Sequence, residues 1–288
     1  MTIVDGKKLS KEMLEEIKKE VSRLSFVPVF CDVLVGSDSS SVQYVNLKKK
    51  IALFLGIKFQ DAYFEENITT EELITEVEKL NKLENMCGLI VQLPLPEYID
   101  TKKVLAHIDT HIDVDCLGEN ASNIFYKEKP MTIPPTAGAC MYLLDSLKID
   151  LKNKNIVVFG AGDLVGKPVS RMLDSRNLPH NVIDRKTESK NKEKLIKNAD
   201  VIISGIGVGG YIKSDMIKEG VIIIDAGTSE SSGSIVGDVD FDSVKDKVSF
   251  ISPVPGGVGP VTVAMLFRNV LQIAKHLHPS PLTPSPSP

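Results

Sequence analysis

NIVVFGAGDLVGKP, residues 155–168, is the stretch of the sequence that decides the fold. It begins with a short β-branched apolar run, which is typical of a parallel strand buried on both faces. Three glycines and a helix-forming segment follow. Gly160 permits a tight turn, Gly162 lets the backbone approach a ligand, and the start of the next helix offers free N–H groups to an anion. The stretch therefore predicts a β-α unit with an anion-binding turn.

Downstream of this turn the β-α rhythm continues. Strand-like apolar runs occur at 180–185, 199–207, 220–227 and 247–257, and a final helix is predicted at 262–277 with Thr262 as its N-cap. Parallel strands alternating with helices predict a Rossmann-like dinucleotide-binding domain over residues 141–261. An ordinary β-α turn is the alternative, because Gly166 comes one residue later than in the G-x-G-x-x-G fingerprint. The Pro/Ser-rich tail, 278–288, is expected to be disordered.

Upstream, a second alternation fills residues 1–140. Helices are predicted at 7–24, 41–57 and 69–85, the second ending at Gly56 and the third capped by Thr69 or Thr70, and strands at 27–36 and 88–95. This half is expected to form its own domain, with the final helix packing back on it. The fold class is therefore α/β, with two domains that are each a mainly parallel sheet with flanking helices.

The composition is that of an ordinary soluble protein. The chain has 288 residues, 25% of them charged, and a formal net charge of −4, so no surface for nucleic acid or an anionic membrane is predicted. No apolar run reaches the roughly 18 residues of a membrane span, and the charged N-terminal helix is unlike a signal peptide. The four cysteines are scattered and the five histidines lack ligand spacing. This pattern favours reduced thiols in the cytoplasm and no metal site.

Asp184 and Arg185 end the second strand of the Rossmann-like half. A carboxylate there accepts a hydrogen bond from an adenosine ribose 2′-hydroxyl and repels a 2′-phosphate, which favours NAD. Arg185 could pair with a 2′-phosphate instead and so favour NADP. The alternative interpretation is that Asp184 only caps a loop.

PVPGGVGPVT, residues 253–262, contains three glycines and three prolines. A stiff loop with so few side chains would let a flat ligand lie against main chain. A purely structural turn would not need so many glycines together.

Candidate chemistry in the first half begins with Tyr44 and Lys48, which are four residues apart and share one helix face. A phenol beside an ammonium group can position a substrate and move a proton. Lys49 and Lys50 would favour the neutral amine of Lys48 by like-charge repulsion. The alternative is a solvated lysine face with Tyr44 packed for area.

GLIVQLPLP, residues 88–96, ends an apolar strand on Gln92. A buried amide without a partner costs about 1–3 kcal/mol, so Gln92 is expected to bond a specific group. Asp113 and Asp115 lie two residues apart and would share a face of an extended segment. One such carboxylate suits a donor–donor edge such as an aminopyrimidine, whereas a metal interpretation lacks further ligands nearby.

Tyr44-x-x-x-Lys48, VQLPLP (91–96), DVD (113–115), the turn ending in VGKP (165–168) and PVPGGVGPVT (253–262) occur in this order. Together they resemble the bifunctional methylenetetrahydrofolate dehydrogenase/cyclohydrolase (FolD) family, over residues 3–275. The resemblance implies an enzyme of one-carbon metabolism, and it implies a homodimer. Such an enzyme oxidises 5,10-methylenetetrahydrofolate with NAD or NADP and hydrolyses the 5,10-methenyl product to 10-formyltetrahydrofolate.

The resemblance also implies roles for individual residues. Lys48 would be the general acid/base of the hydrolysis, and Gln92 would hydrogen-bond to Lys48 and tune its basicity. A neutral amide suits this role better than a carboxylate, because a carboxylate would hold the lysine charged. Tyr44 would position the folate ring and Asp115 would bind the pterin amino edge, and both count with Lys48 and Gln92 as catalytic. Substrate contacts are implied for Tyr44, Val91, Gln92, Leu93, Asp115, Pro255, Gly256 and Gly257. Cofactor contacts are implied for Gly160, Ala161, Gly162, Leu164, Val165, Asp184, Arg185, Gly205, Gly207, Thr228, Gly259 and Thr262.

The chain departs from the family pattern near the adenosine end of the cofactor. It has Gly160-Ala161-Gly162 where the family usually has Gly-Arg-Ser, and residues 183–187 replace a Cys-His-Ser-x-Thr string. Both changes mildly favour NAD over NADP. Cys116 replaces the glycine that usually follows DVD, which bears on the geometry of that loop.

Three other functions are alternatives to this one. A monofunctional NAD-dependent dehydrogenase is disfavoured because Lys48 and Gln92 are retained. A non-catalytic nucleotide-binding module would bind neither folate nor dinucleotide productively. A short-chain dehydrogenase is excluded because its Tyr-x-x-x-Lys pair follows the glycine-rich turn, whereas here it precedes that turn.

Overall fold

The computed structural model describes residues 2–127, 130–231 and 234–277. The chain divides into two compact units. The Rossmann unit comprises Met1–Lys11 and Pro134–Met265, and the lysine unit comprises Glu12–Ile133 and Leu266–Pro288. The tail predicted to be disordered, 278–288, lies outside the described residues.

Helices and strands alternate along most of the chain. The strands are β1 (Thr2–Ile3), β2 (Val29–Val35), β3 (Lys58–Phe64), β4 (Met86–Val91), β5 (Ile156–Phe159), β6 (His180–Ile183), β7 (Val201–Ser204), β8 (Ile222–Asp225), β9 (Ser229–Ser231), β10 (Ser234–Val236) and β11 (Phe250–Ile251). The α-helices are α1 (Gly6–Val21), α2 (Ser39–Leu55), α3 (Thr70–Leu80), α4 (Thr101–Ala106), α5 (Glu119–Lys127), α6 (Pro135–Ser146), α7 (Gly166–Ser175), α8 (Ser189–Asn198), α9 (Phe241–Val244) and α10 (Val258–Leu277).

The Rossmann unit contains a six-stranded sheet in the order β1-β11-β8-β7-β5-β6, with every pairing parallel. The chain places β6 on one side of β5 and β7 on the other, so the strand order reverses at β5. Ligand crevices in such sheets open at the carboxyl ends of the strands where the order reverses. The glycine-rich turn follows β5 and lies at this position.

The lysine unit contains three parallel strands in the order β3-β2-β4. The central strand β2 is buried along its whole length. Phe30 on this strand packs edge-on against Phe59 and Phe267, which anchors the core of the unit. Strands β9 and β10 form a separate antiparallel pair in the Rossmann unit. Both units are therefore mainly parallel sheets with helices, and the predicted α/β fold class is confirmed.

Two predicted helix ends in the lysine unit are confirmed by their capping geometry. Thr69 forms a capping box with Glu72 at the start of α3. Gly56 caps α2 with a φ of +81°, the left-handed conformation that glycine adopts most readily. Strand β3 was not predicted, because its alternation of charged and apolar residues is that of an edge strand rather than a buried run.

The start of the last helix differs from the prediction. Helix α10 begins at Val258, and the hydroxyl of Thr262 donates to the Val258 carbonyl oxygen over 3.2 Å within the helix. The prediction that Thr262 is the N-cap is therefore wrong. Pro260 lies in the first turn of α10, where proline is tolerated because its missing N–H would have no intrahelical partner.

The four cysteines, Cys31, Cys87, Cys116 and Cys140, are buried and unpaired. Burial raises the pKa of each thiol, which keeps it protonated near neutral pH. Within the described ranges, no helix combines the length and hydropathy that crossing a membrane requires.

Candidate active site

The side chain of Lys48 is buried at the middle of α2, in the lysine unit. Its Nζ donates to Oε1 of Gln92 over 2.7 Å. Helix α2 is fixed at its start by Asp38, whose side chain accepts from the Ser41 N–H. A lysine held in this way presents its amine at a defined place rather than sweeping through solvent.

Gln92 stands directly after β4 and uses both ends of its amide. Its backbone N–H donates to the Val33 carbonyl oxygen over 2.8 Å, which continues the pairing of β4 with β2. Its Nε2 donates to the Leu93 carbonyl oxygen over 2.8 Å, so Oε1 is oriented toward Lys48. The structure thus brings together the two residues that the resemblance paired.

Asp32 on β2 is a second partner of Lys48 that sequence reasoning missed. Its Oδ2 lies 2.6 Å from the Lys48 Nζ, and its side chain has no exposed surface. Burial raises the pKa of the Asp32 carboxyl, and the Lys48 charge opposes that shift. The expectation of a site with only a neutral amide on the lysine is therefore wrong. A lone charged residue inside the run VFCDVLV was the signal in the sequence.

Tyr44 lies one turn before Lys48, and its ring centroid is 5.7 Å from the Lys48 Nζ. Tyr44 is 44% exposed, so part of its side chain is accessible to a ligand. Partial burial raises the pKa of the phenol, which keeps it a hydrogen-bond donor. Val91 is buried in the core and Leu93 is half-buried, so Val91 could meet a ligand only through its main chain.

Lys49 and Asp61 correct another expectation about the lysine run. Lys49 Nζ lies 2.6 Å from Asp61 Oδ1, so its charge is compensated by a neighbouring carboxylate. Like-charge repulsion from Lys49 is therefore weaker on Lys48 than the sequence alone predicts.

Asp113 and Asp115 do not share a face of an extended segment, because the chain turns there. Asp113 is buried and accepts from the N–H groups of Asp115, Cys116 and Gly118. Cys116 has a φ of +58°, in the left-handed region. The expected extended pair is wrong: Asp113 shapes the turn that presents Asp115.

Asp115 is the member of the pair that interacts electrostatically with the lysine. Burial raises its pKa to about 7, Lys48 opposes the shift, and the carboxylates of Asp113 and Asp32 add to it. Its protonation therefore changes near neutral pH. This segment is also held by Asn269 of α10, whose Nδ2 donates to the Val114 and Ile133 carbonyl oxygens over 2.8 Å each.

The glycine-rich turn of the Rossmann unit packs too tightly for side chains at two positions. An added Cβ at Gly166 would collide with the Gly160 carbonyl oxygen, and one at Gly160 would come within 2.6 Å of the Gly205 carbonyl oxygen. At Gly162 and Gly207, by contrast, an added Cβ would meet nothing within 4 Å. The open backbone at these two residues fits the phosphates of a dinucleotide.

The remaining residues predicted to contact the cofactor differ in exposure. Leu164 and Thr228 are exposed, Ala161 is half-buried, and Val165 is buried where a Cβ at Gly205 would meet it. Gly259 and Thr262 lie in the first turns of α10. Their roles stay predictions.

Asp184 accepts hydrogen bonds from nearby atoms of its own loop. Its Oδ1 accepts from the Lys186 N–H over 2.9 Å and from the Thr187 hydroxyl over 3.0 Å. These bonds lower the pKa of the carboxyl, so it is ionised at neutral pH. Asp184 therefore caps a loop, and the carboxylate it offers there is charged. Arg185 beside it is exposed.

A buried carboxylate pair, Asp225 and Asp238, was not singled out from the sequence. Asp238 accepts from the Ser204 hydroxyl and from the N–H groups of Ile206 and Val208, which shapes the loop after β7. Asp225 accepts from the N–H groups of Asp238 and Val239 and of Gly227, and burial raises its pKa to about 7. The aspartates that follow apolar runs at 221–225 and 234–238 were the signal.

In the loop at 253–257, the backbone geometry requires glycine at Gly256 and Gly257. Gly256 has a φ of +107°, and an added Cβ at Gly257 would come within 2.6 Å of the Pro253 carbonyl oxygen. The expectation that a structural turn would not need these glycines is wrong for this pair. Pro255 is exposed at the apex of the loop. The described residues contain no cluster of three metal-ligating side chains.

Two family models match the chain. The model described as Tetrahydrofolate dehydrogenase/cyclohydrolase, catalytic domain, matches residues 4–115, and the model described as Tetrahydrofolate dehydrogenase/cyclohydrolase, NAD(P)-binding domain, matches residues 134–278. The chain belongs to the tetrahydrofolate dehydrogenase/cyclohydrolase family. The resemblance drawn from its motifs is confirmed.

Relatives within the tetrahydrofolate dehydrogenase/cyclohydrolase family align over nearly the whole chain. The Bifunctional protein FolD of Hydrogenobaculum sp. is 42% identical over 277 residues, covering 96% of this chain and 99% of its own. A crystal structure of the bifunctional enzyme FolD from Campylobacter jejuni is 38% identical, with a TM-score of 0.90 over 96% of this chain and 99% of that one. The Trypanosoma brucei FolD, solved with NADP cofactor and an inhibitor, is 32% identical with a TM-score of 0.91, over 97% and 99% of the two chains.

Proposed function

We propose that this protein oxidises 5,10-methylenetetrahydrofolate to the 5,10-methenyl form with a nicotinamide dinucleotide and then hydrolyses that product to 10-formyltetrahydrofolate. The observation that carries the proposal is the buried contact of Lys48 with Gln92, in a chain matched by both family models. Lysine and amide in fixed contact suit proton transfer, and the Rossmann unit supplies a turn suited to a dinucleotide.

The oxidation removes a hydride from the bridging carbon of the folate. The dinucleotide, when bound, supplies the acceptor for that hydride. The chain's part is to bind and orient the two rings, and the open backbone at Gly162 and Gly207 supports binding of the dinucleotide phosphates. We assign the pterin amino edge to Asp115 and the face of the ring system to Tyr44.

The hydrolysis adds water to the bridging carbon of the methenyl cation. The water oxygen bonds to that carbon, the bond from carbon to N5 breaks, and of the two water protons one ends on N5 and the other leaves to solvent. We assign Lys48 as the group that accepts the first proton and returns it, with Gln92 orienting its Nζ. The remaining substrate contacts, at Leu93, Pro255, Gly256 and Gly257, belong to the same proposal.

We further propose NAD as the preferred cofactor, with NADP accepted less well. Asp184 is held as a charged carboxylate after β6, where it would repel a 2′-phosphate. Exposed Arg185 is the group through which NADP could still bind. Steady-state kinetics with both cofactors test this, and a strong preference for NADP would contradict it.

A spectroscopic assay that follows methenyltetrahydrofolate formation and decay tests the main proposal. Formation with NAD and decay faster than the uncatalysed rate are expected. Formation without accelerated decay would indicate a monofunctional dehydrogenase. The Asp32 contact is the reason to test this alternative, because a carboxylate favours the charged form of the lysine, which cannot accept a proton. Absence of both would indicate a non-catalytic module. We also propose that the protein is a homodimer, which light scattering tests, and that it is located in the cytoplasm, which cell fractionation tests.

A further inference from the structure

Asp32 is the buried polar residue of the lysine unit that the proposed chemistry leaves unexplained. It lies in the middle of β2 and is 1% exposed, although carboxylates are almost never fully buried without a partner. Neither of its carboxylate oxygens has a conventional hydrogen bond within the described residues, and the Lys48 Nζ at 2.6 Å is its cationic partner there. An apolar residue would fill this position without the cost of burying a charge.

The groups around Asp32 leave Lys48 as its compensating cation. Helix α2 contributes Lys48 and, beyond it, Tyr44. Strand β3 places Asp61 in direct register with Asp32, but Asp61 pairs with Lys49. The turn after Asp113 contributes Asp115, whose pKa Asp32 helps to raise. On β2 itself the neighbouring thiol of Cys31 is buried and protonated, and the β4 partner is the apolar Ile90.

We propose that Asp32 is a positioning residue, the buried counter-ion that holds the charged Lys48 side chain against Gln92 for the hydrolysis. The inference rests on the proposed function, since it assigns Lys48 to proton transfer. Opposite charges in contact stabilise the charged form of both groups, and water that would weaken this attraction is excluded at a buried site. Asp32 also compensates the ammonium charge, which would otherwise repel the cationic methenyl substrate.

The test is the pH dependence of methenyltetrahydrofolate hydrolysis in Asp32→Asn. Asparagine keeps the shape of the side chain and removes its charge. The rising limb of the rate against pH is expected to move at least one pH unit lower, with an increased KM for the cationic substrate. A limb that stays in place while the rate falls equally at every pH would overturn the proposal, because it would indicate a merely structural role.

The matched control is Asp61→Asn, which removes the carboxylate in register with Asp32 on the adjacent strand. Because Asp61 contacts the neighbouring Lys49 rather than Lys48, the rising limb is expected to move much less than in Asp32→Asn. An equal shift in both variants would overturn the proposal, since it would indicate a general field rather than this contact.

Absence of hydrolysis would contradict the proposed function but would not test the contact between Asp32 and Lys48. A stability measurement tests that contact without any activity. Lys48→Met leaves Asp32 buried without a cation. The melting temperature of this variant is therefore expected to fall as the pH rises from 5 to 8. Ionisation of an unpaired buried carboxylate destabilises the fold, which sets this direction. The double variant Lys48→Met/Asp32→Asn is expected to melt higher at pH 8 and to lose that dependence. Equal melting of the single and double variants at pH 8 would overturn the proposal.

Discussion

The Nζ of Lys48 donates to Oε1 of Gln92 over 2.7 Å, and this bond joins the middle of a helix to the end of a strand 44 residues away in sequence. The amide in turn is held by the Leu93 carbonyl oxygen, so its acceptor end cannot turn away from the lysine without losing a second bond. A hydrogen bond from a charged group contributes about 1.5–3 kcal/mol to stability, and it also fixes the position of the proton-transfer group, on which the rate depends.

Gln92→Ala is therefore expected to damage hydrolysis more than folding. We expect kcat for methenyltetrahydrofolate hydrolysis to fall about 10- to 100-fold, with a displaced pH–rate profile, because proton transfer by a positioned group contributes about 10²–10⁴-fold. Thermal melting and the pH–rate profile are the measurements. A protein that simply melts earlier with an unmoved profile would show that Gln92 only closes the end of β4.

Lys48→Met is expected to lower the hydrolysis rate by about 10²–10⁴-fold, the usual contribution of a general acid or base. The oxidation needs no proton transfer at the same step and should lose less. Lys50→Met, two residues along the same helix, is the control. Solvent screens the charge of this exposed lysine, so both rates should be nearly unchanged. Full hydrolysis by Lys48→Met would remove the lysine from the mechanism.

The contact that we propose between Asp115 and the folate predicts binding that depends on pH near neutrality. Its pKa is raised to about 7, so it is ionised above that pH and protonated below it. The ionised carboxylate is acceptor-only and suits the donor–donor pterin edge. The KM for the folate is therefore expected to rise as the pH falls from 8 to 6, and Asp115→Asn should have a high KM at every pH. The KM for the dinucleotide serves as the control and should not follow this pattern.

Gly162 and Gly166 form a matched pair for the dinucleotide turn. Gly166→Ala places a Cβ against the Gly160 carbonyl oxygen and is expected to destabilise the protein by about 1–3 kcal/mol, as overpacking does. Gly162→Ala meets nothing within 4 Å and should fold normally, but it should raise the KM for the dinucleotide by occupying the open backbone. Denaturant unfolding and steady-state kinetics separate the two effects. An unchanged KM in Gly162→Ala would place the phosphates elsewhere.

Cys116 carries backbone strain in the turn that presents Asp115. Its φ of +58° lies in the left-handed region, which costs a residue with a Cβ about 1–2 kcal/mol. Cys116→Gly should therefore be about 1 kcal/mol more stable than Cys116→Ala, since both lose the sulfur and only glycine loses the strain. Unfolding in urea measures the difference. Equal stability of the two variants would mean that the turn relaxes when the thiol is removed.

Local patterns in the sequence were enough to predict several parts of the fold. Apolar β-branched runs predicted the buried strands β2, β4, β5, β7 and β8, because a strand covered on both faces has no polar side. Thr69 and Gly56 predicted helix ends because capping depends on a few adjacent residues. Edge strand β3 was not predicted, because its side chains alternate between core and solvent. The first turn of α10 was not predicted either.

The motifs in the sequence were sufficient to indicate the family, because a family is identified by residue type, order and spacing. The two reactions and the roles of Lys48 and Gln92 were what that resemblance implied. The partners of those residues depend on atoms that are distant in sequence. Asp32 reaches Lys48 across 16 residues, Asn269 reaches Val114 across 155, and Asp238 reaches Ser204 across 34. A strand position such as Asp32 reads as an interrupted apolar run until the sheet and the helix bring its carboxylate within 2.6 Å of an ammonium group. Tertiary packing decides which buried charges are compensated. These pairings cannot be predicted from local sequence, because the partners are distant along the chain.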